Sequence, residues 1–183
     1  VSGFSSKKAR CFNFLGNDYN RVMIYIGTDH RGFQLKEELK KYLVEQGHEV
    51  EDVGAFEYSK DDDYVDFAAE AAEKIAENPT AHKGILICGS GHGMDMVANK
   101  FKGIRAALCF NRQVAAQSRA HEDANVLILA SDWLDPSDAK DVVTFWLGKQ
   151  FSGEDRHVRR LQKIDEIEDK NFSAKGGSAS GGK

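Results

Sequence analysis

The chain has 183 residues, of which 41% are hydrophobic and 30% charged, a composition typical of one soluble globular domain with a sizeable core. The net charge of −4 provides no basic surface for nucleic acid, and no apolar run is long enough to span a bilayer, so we expect neither partner. Three cysteines, Cys11, Cys88 and Cys109, at irregular spacing and without a secretory leader disfavour a disulfide framework and predict a reducing compartment, by default the cytoplasm.

The two ends of the chain differ in composition from its middle. Residues 1–21 begin without Met and lack clear periodicity, which predicts a leader, a remnant of cloning or a poorly ordered arm. Residues 171–183 are rich in Gly and Ser and predict a flexible tail. We expect residues 22–170 to form the functional domain.

Short apolar runs alternate with helical patterns through this domain. Strands are predicted at 22–26, 49–53, 85–87, 105–109 and 126–129. Helices are predicted after Gly32 and ending near Gly47, then at 65–77, from Met94 onward, and at 113–120, 137–147 and 155–169. Near-continuous apolar strands alternating with helices indicate α/β, a three-layer Rossmann-like fold with a five-stranded parallel sheet.

A glycine-rich loop follows the apolar run 85–87. Cys88 begins it, and glycine recurs at every second position in Gly89, Gly91 and Gly93. A strand, a glycine loop and a helix together direct backbone N–H groups toward an anion, and such donors favour the thiolate form of a nearby cysteine. Cys88 is therefore the first candidate for a reactive group. The alternative is a tight turn beside a small buried cysteine.

Two further polar clusters are predicted near the carboxyl ends of strands or near the next helix. Asp29 and His30 follow the first strand, and His121 follows the helix 113–120. Ligands of such folds bind beyond the carboxyl ends of the strands, so these clusters and the Cys88 loop are compatible with one shared crevice. Alternatively, Asp29 and His30 cap the first helix and His121 is a surface histidine.

The motifs, taken in order, resemble the ribose-5-phosphate isomerase B family, which includes the subunits of galactose-6-phosphate isomerase. The resemblance extends from about Met23 to Glu168. It is carried by Gly27-Thr28-Asp29-His30-Arg31-Gly32, Asp63-Tyr64, the 88–100 block ending in Ala98-Asn99-Lys100, Gly103-Ile104-Arg105-Ala106, Ser118-Arg119-Ala120-His121, Asp123-Ala124-Asn125-Val126-Leu127, and Arg156-His157-Val158-Arg159-Arg160.

The resemblance implies an aldose–ketose isomerase that uses neither metal nor cofactor. His121 occupies the family's ring-opening position, with Asp29 as its partner. The base that moves a proton between carbons 2 and 1 is Cys88, because Met94 stands where another branch of the family has a glutamate. The N–H groups of Gly89, Gly91, His92 and Gly93 and the Ser90 hydroxyl are expected to bind the sugar and the enediolate oxygen.

The resemblance also implies a homodimer or homotetramer. Arg156 and Arg160, four residues apart on one helix face, are expected to reach the phosphate in the neighbouring subunit's site, assisted by that subunit's own His30. Tyr64 lies where the family places a residue near the sugar. Without the resemblance, Arg156 and Arg160 are a solvated basic face and Tyr64 is a core aromatic.

Two substitutions leave the substrate open. Glu122 stands where the family usually has a sugar-binding asparagine, and Asp132 stands where it commonly has a phosphate-binding arginine. Either Asp132 points away from the substrate or the anionic end is held differently. The favoured reaction is ribose 5-phosphate to ribulose 5-phosphate, with a hexose phosphate such as allose or galactose 6-phosphate, or a free aldose, as alternatives. A noncatalytic phosphate- or nucleotide-binding module is the alternative of another class.

Overall fold

The computed structural model describes residues 22–173 as one α/β unit of five strands and six helices. The elements in chain order are β1 (Met23–Thr28), α1 (Phe33–Glu45), β2 (Glu49–Asp52), α2 (Tyr64–Ala76), β3 (Lys83–Cys88), α3 (His92–Ala98), β4 (Ala106–Leu108), α4 (Arg112–Glu122), β5 (Val126–Ala130), α5 (Pro136–Gly148) and α6 (Asp155–Ser173). The predicted arm 1–21, with Cys11, and the end of the predicted tail lie outside the described residues.

The strands form one parallel sheet in the order β2-β1-β3-β5-β4. The chain moves from β1 to β2 on one side and then returns to place β3 on the other side of β1. The strand order therefore reverses between β1 and β3, and this reversal leaves a crevice beyond the carboxyl ends of those two strands. The predicted parallel sheet of five strands is confirmed.

Alternating strand residues supply two separate hydrophobic cores. Ile85 and Ile87 face the layer formed by α1, α4 and α5, where Trp146 is fully buried. Leu86 faces the opposite layer of α2 and α3, with Ala68, Ala71, Ala72 and Ile75 of α2 closing over the sheet. Because both faces of the sheet are covered, the predicted three-layer arrangement is confirmed.

A buried lysine links α1 to the end of β2. The Nζ of Lys36 donates to both carboxylate oxygens of Asp52 at 2.8 Å and to the carbonyl of Ala55 at 2.7 Å. The ammonium group is fully buried, so this paired carboxylate provides the compensation that its desolvation requires. The contact fixes the loop after β2 against the start of α1.

Three helix boundaries differ from the predicted ones. α3 begins at His92, because the left-handed Gly91 (φ 79°) ends the turn two residues before the predicted start. α4 continues to Glu122, so His121 and Glu122 lie on the helix and not after it. α6 continues to Ser173, three residues into the predicted tail, since its last turns pack against the segment between α3 and β4.

Candidate active site

The crevice between β1 and β3 brings Asp29 and Cys88 together. Asp29 follows the last residue of β1, and Cys88 is the last residue of β3. Thr28 joins these two strand ends by donating from its hydroxyl to the carbonyl of Ile87 at 2.8 Å. Burial is the main cause of the raised pKa of Cys88, and the negative charge of Asp29 adds a smaller increase, so the two groups lie within electrostatic range of each other.

The Cys88 sulfur is held by the glycine loop. Its Sγ accepts a hydrogen bond from the Gly91 N–H at 3.1 Å, and Gly91 adopts the left-handed conformation that makes this turn. Burial raises the pKa of the Cys88 thiol, and hydrogen bonds from Gly91, Met94 and Ser90 oppose that effect without cancelling it. The loop donors therefore favour the thiolate, as predicted, but desolvation of the buried sulfur outweighs them and the pKa is raised overall.

Asp29 is buried and holds the backbone of the β1–α1 loop. Its Oδ1 accepts from the N–H of Arg31 at 3.0 Å and from that of Gly32 at 3.4 Å. Burial raises its pKa, and these two backbone hydrogen bonds counteract part of the increase. A carboxyl group with a raised pKa can orient a hydroxyl group of a bound ligand and exchange a proton with that hydroxyl group.

The His30 imidazole is held in place by Asp62, which lies in the loop before α2. Its Nδ1 lies 2.6 Å from Oδ1 of Asp62, and the same oxygen accepts from the His30 backbone N–H at 3.1 Å. Donation from Nδ1 to the carboxylate leaves Nε2 as the nitrogen available to a ligand. The second Asp62 oxygen is buried and has no hydrogen-bond partner within residues 22–173.

The remaining loop residues adjoin the same crevice. The Ser90 hydroxyl accepts from the His92 N–H at 3.4 Å at the start of α3. The exposed His92 ring lies edge-on to Trp133, with ring centroids 6.2 Å apart. Gly93 permits a close approach of Tyr64, since a Cβ at Gly93 would lie 2.5 Å from the Tyr64 ring. Tyr64 is 37% exposed, which agrees with a place at the rim of the site and not in the core.

Arg31 and Asp132 form an ion pair across the mouth of the crevice. The Nη2 of Arg31 donates to Oδ2 of Asp132 at 2.6 Å. The Arg31 side chain passes directly over Gly89, where any Cβ would overlap its Nε. Asp132 therefore neither points away from the site nor presents an unpaired negative charge, because Arg31 neutralises it.

A second cluster of predicted site residues is centred on His121. The His121 and His157 rings stack with centroids 4.3 Å apart and planes inclined by 32°. His157 is buried, and its Nδ1 lies 2.7 Å from the Ser152 hydroxyl. Gln117 approaches Nδ1 of His121 to 3.3 Å. Burial, followed by the nearby His121 and Arg156, lowers the pKa of His157.

The two predicted phosphate-binding arginines extend this cluster. Arg156 and Arg160 are exposed on the first two turns of α6, and Arg156 pairs with Glu154 at 2.9 Å. Glu122 is adjacent to His121 and lines a different cavity of about 720 Å³ with residues of α6. Its carbonyl accepts from Nε of Arg105 at 3.0 Å.

The structure does not bring the two clusters together within one chain. Cys88 ends β3 at the carboxyl edge of the sheet, whereas His121 lies on the last turn of α4, shortly before β5 starts at the amino edge. A parallel strand of six residues is about 20 Å long, so a comparable distance separates the two groups. The predicted crevice shared by Asp29, Cys88 and His121 is therefore wrong for a single chain, since α4 runs antiparallel to the strands and ends at the opposite edge.

The side chains of the two clusters are suited to proton transfer and to the binding of anions. Within residues 22–173, no group of three or more His, Cys, Asp or Glu side chains is arranged to hold a metal ion, and no helix is long and apolar enough to cross a membrane. The carboxyl-edge cluster offers the Cys88 thiol, three carboxyl groups, two imidazoles, the Arg31 guanidinium and loop amides. The amino-edge cluster offers two imidazoles and two guanidinium groups.

Sequence reasoning missed two residues that organise these clusters. Asp62 fixes His30, although it appeared in the sequence only as one of three consecutive acids, Asp61 to Asp63. His157 stacks on His121, and its only signal was its place between basic residues in the last motif. In both cases the partner is far away in the sequence, so local patterning carries little information about the contact.

Comparison with known proteins identifies the family. A family model described as Ribose/Galactose Isomerase matches residues 24–164. The chain is 43% identical over 145 residues to ribose-5-phosphate isomerase B of Escherichia coli, covering 79% of this chain and 95% of that one. It is 45% identical over 141 residues to a probable ribose-5-phosphate isomerase B of Mycoplasma pneumoniae, covering 77% of this chain and 91% of the relative.

A solved structure also resembles most of the described domain. The crystal structure of ribose-5-phosphate isomerase B from Mycoplasma genitalium with bound ribulose-5-phosphate superposes with a TM-score of 0.79 at 40% identity. The match covers 80% of this chain and 96% of that one. The chain is thus a member of the Ribose/Galactose Isomerase family.

Proposed function

We propose that the chain interconverts ribose 5-phosphate and ribulose 5-phosphate through a cis-enediolate. The observation that carries the proposal is the Cys88 sulfur at the strand-order reversal, held by the Gly91 N–H at 3.1 Å beside the carboxyl group of Asp29. Relatives named ribose-5-phosphate isomerase B, and a related structure that contains ribulose-5-phosphate, support this choice of substrate. The reaction only moves protons within one molecule, so we expect it to need no cofactor or metal, and we expect it to take place in the cytoplasm.

In the proposed mechanism Cys88 is the general base. Its thiolate removes the proton from carbon 2 of the open-chain aldose, and the electron pair forms the enediolate as the carbonyl oxygen at carbon 1 gains negative charge. The same sulfur then returns the proton to carbon 1, and a proton moves from the oxygen on carbon 2 to the oxygen on carbon 1. The amides of the Gly89–Gly93 loop and the Ser90 hydroxyl stabilise the developing oxyanion.

Ring opening requires a separate proton transfer. One group must protonate the ring oxygen while another accepts the proton of the anomeric hydroxyl. An imidazole suits both tasks because its ordinary pKa is about 6.5. We assign this role to His121, with Asp29 orienting the anomeric hydroxyl from the Cys88 side.

A complete site then requires a second copy of the chain. His121, Arg156 and Arg160 lie at the opposite sheet edge from Cys88, so one chain cannot apply both clusters to one sugar. α6 supports such an assembly because Ile164, Ile167 and Phe172 are between 43% and 60% exposed on that helix. Apolar side chains grouped in this way mark an interaction surface. We propose a homodimer, or a tetramer built from it, in which the two clusters meet across the interface.

Arg156 and Arg160 are assigned to the phosphate end, with His30 contributing from the partner that supplies Cys88. Two guanidinium groups one helical turn apart can bind one phosphoryl group. Tyr64 and the α3 residues at the rim are assigned to the sugar. Glu122, which is close to His121, is assigned to a sugar hydroxyl.

The decisive experiment is a coupled assay of ribulose 5-phosphate formation across a substrate panel. Ribose 5-phosphate should be the best substrate among ribose 5-phosphate, allose 6-phosphate, galactose 6-phosphate and free allose. Faster turnover of a hexose phosphate or of free allose would replace the proposed substrate. Binding of sugar phosphates without turnover of any of them would favour the noncatalytic binding module.

A further inference from the structure

The Arg31–Asp132 pair is the feature of the site that the proposed mechanism does not use. It joins two loops that are 101 residues apart in the sequence, and it lies over the loop that holds Cys88. The surrounding backbone fixes its position. Ser131 donates from its N–H to the Cys88 carbonyl at 2.9 Å, and Asp132 donates from its N–H to the Gly89 carbonyl at 3.1 Å.

Arg31 is tied into the same platform from the other side. The Ser131 hydroxyl contacts the Arg31 carbonyl at 3.1 Å, and the Arg31 N–H donates to Asp29 at 3.0 Å. The ends of β1, β3 and β5 are thus linked by hydrogen bonds, and Arg31 cannot swing away without losing Asp132. Its guanidinium is a prepositioned group beside the reactive sulfur.

The Arg31 guanidinium has N–H groups that Asp132 does not bind. Within residues 22–173 it donates to Asp132 only, and its side chain is 55% exposed. It opens onto a cavity of about 610 Å³ lined by His30, Arg31, Gln34, Tyr58, Lys60 and Asp132. Arg31 and Lys60 bring two permanent positive charges to this cavity against the single carboxylate of Asp132, so its charge suits an anionic ligand.

We propose that Arg31 binds the phosphoryl group of the substrate from the same subunit as Cys88, and that Asp132 is a positioning residue that holds the Arg31 guanidinium over Gly89. This inference rests on the proposed isomerase function. The pair thereby places a cation in the region where Asp132, taken alone, would repel a phosphate. Arg31 contacts a part of the substrate that does not react, so it contributes binding that is equal in the ground state and the transition state.

The test combines turnover with a binding measurement that does not depend on turnover. Arg31→Met keeps the length of the stem and removes the charge. We expect it to raise both the KM for ribose 5-phosphate and the Kd of inorganic phosphate about ten- to a hundredfold, because a charge-assisted hydrogen bond is lost. The kcat should stay within about twofold of wild type, since uniform binding affects KM alone.

A matched control removes a charge elsewhere on the same helix and loop unit. Lys41 is 79% exposed on α1, and Lys41→Met should leave KM, kcat and phosphate affinity unchanged. Wild-type KM and phosphate affinity in Arg31→Met would overturn the role of Arg31. If wild-type protein binds phosphate through Arg31 but does not isomerise ribose 5-phosphate, the proposed function fails while the anion site stands.

Asp132→Asn separates positioning from direct repulsion. The amide keeps the shape of the side chain but loses the charge that holds Arg31, so the KM should rise severalfold, by less than in Arg31→Met. The double variant Arg31→Met/Asp132→Asn should match Arg31→Met, because Asp132 then has no guanidinium to hold. A lower KM in Asp132→Asn than in wild type would overturn the positioning role, since it would show that Asp132 acts on the phosphate directly.

Discussion

Cys88 and His121 occupy opposite edges of the same parallel sheet, one at the end of β3 and the other on the last turn of α4. Each residue has its own supporting partners: Gly91 for the sulfur and His157 for the imidazole. The two clusters of one chain lie about a strand length apart. Both can act on one sugar only if the second cluster comes from another copy of the chain. In the proposed dimer, assembly is therefore needed for the chemistry and not only for stability.

Mixing two inactive variants tests this arrangement directly. Cys88→Ala and His121→Ala should each be nearly inactive alone. After joint unfolding and refolding at equal amounts, half of random dimers are mixed and each carries one intact site of two, so about a quarter of wild-type activity should return. Activity is followed with ribose 5-phosphate. The composite site is refuted if the mixture stays as inactive as its components.

Cys88→Ala should abolish isomerisation while leaving sugar-phosphate binding intact. Loss of a general base costs on the order of a hundred- to ten-thousandfold in kcat. The Kd for ribulose 5-phosphate, measured by calorimetry, should change little because the loop amides and the basic residues remain. A Cys88→Ala enzyme with more than a tenth of wild-type kcat would exclude the sulfur as the base.

The raised pKa of Cys88 predicts the pH range in which its thiol becomes reactive. Because burial raises this pKa, the thiolate should become the main form of Cys88 only above the ordinary thiol pKa of about 8.5. The rate of iodoacetamide alkylation in a Cys11→Ser background should therefore still be rising at that pH. Cys88→Ala serves as the control. Cys109 is fully buried with its pKa raised to about 11, so it should react far more slowly. A plateau below pH 8 would contradict the burial effect.

His157 should make the folded state sensitive to mild acid. Burial and the neighbouring His121 and Arg156 lower its pKa, so below about pH 6.5 the unfolded chain binds more protons at this position than the folded one. This contribution to stability is complete above the unfolded pKa and is lost as pH falls toward the folded value. Urea unfolding at pH 7.5 and 5.5 should show a smaller loss in His157→Gln than in wild type. Equal losses would rule out His157 as a source of the pH dependence.

The buried Lys36 predicts a large effect on stability. Lys36→Met removes one of the two lysines that pair with the half-buried Asp52 and leaves Lys40 at 2.6 Å, so it should cost about 3 kcal/mol of unfolding free energy, the low end for a broken buried pair. Lys36→Met/Asp52→Asn should recover part of this loss, because it removes a carboxylate that would otherwise keep only Lys40 as a charged partner. Lys41→Met, which removes an exposed lysine of the same helix, should change stability by less than about 0.5 kcal/mol. Denaturant melts provide all the values, and an unchanged midpoint in Lys36→Met would contradict the buried-pair account.

The sequence alone was enough to predict the succession of strands and helices along the chain and the position of the Cys88 loop. These features depend on local information: short apolar runs such as Ile85 to Ile87, helical spacing, and the glycines that permit the turn at Gly91. Helix ends were less accurate. His121 lies on α4 and His92 lies on α3, although both were predicted outside these helices. The error arises because polar residues near a helix end are compatible with a helix as well as with a loop.

The tertiary structure determined which side chains lie next to each other. The antiparallel direction of α4 put His121 at the opposite edge from Cys88, and contacts between distant loops paired Arg31 with Asp132 and His30 with Asp62. Packing also set the pKa of the thiol, since the cost of burying a sulfur depends on the layer of α2 and α3 that covers it. A local pattern specifies which residues stand at the end of a strand. Which charges meet there, and how much water they lose, depends on contacts between segments that are distant in the chain.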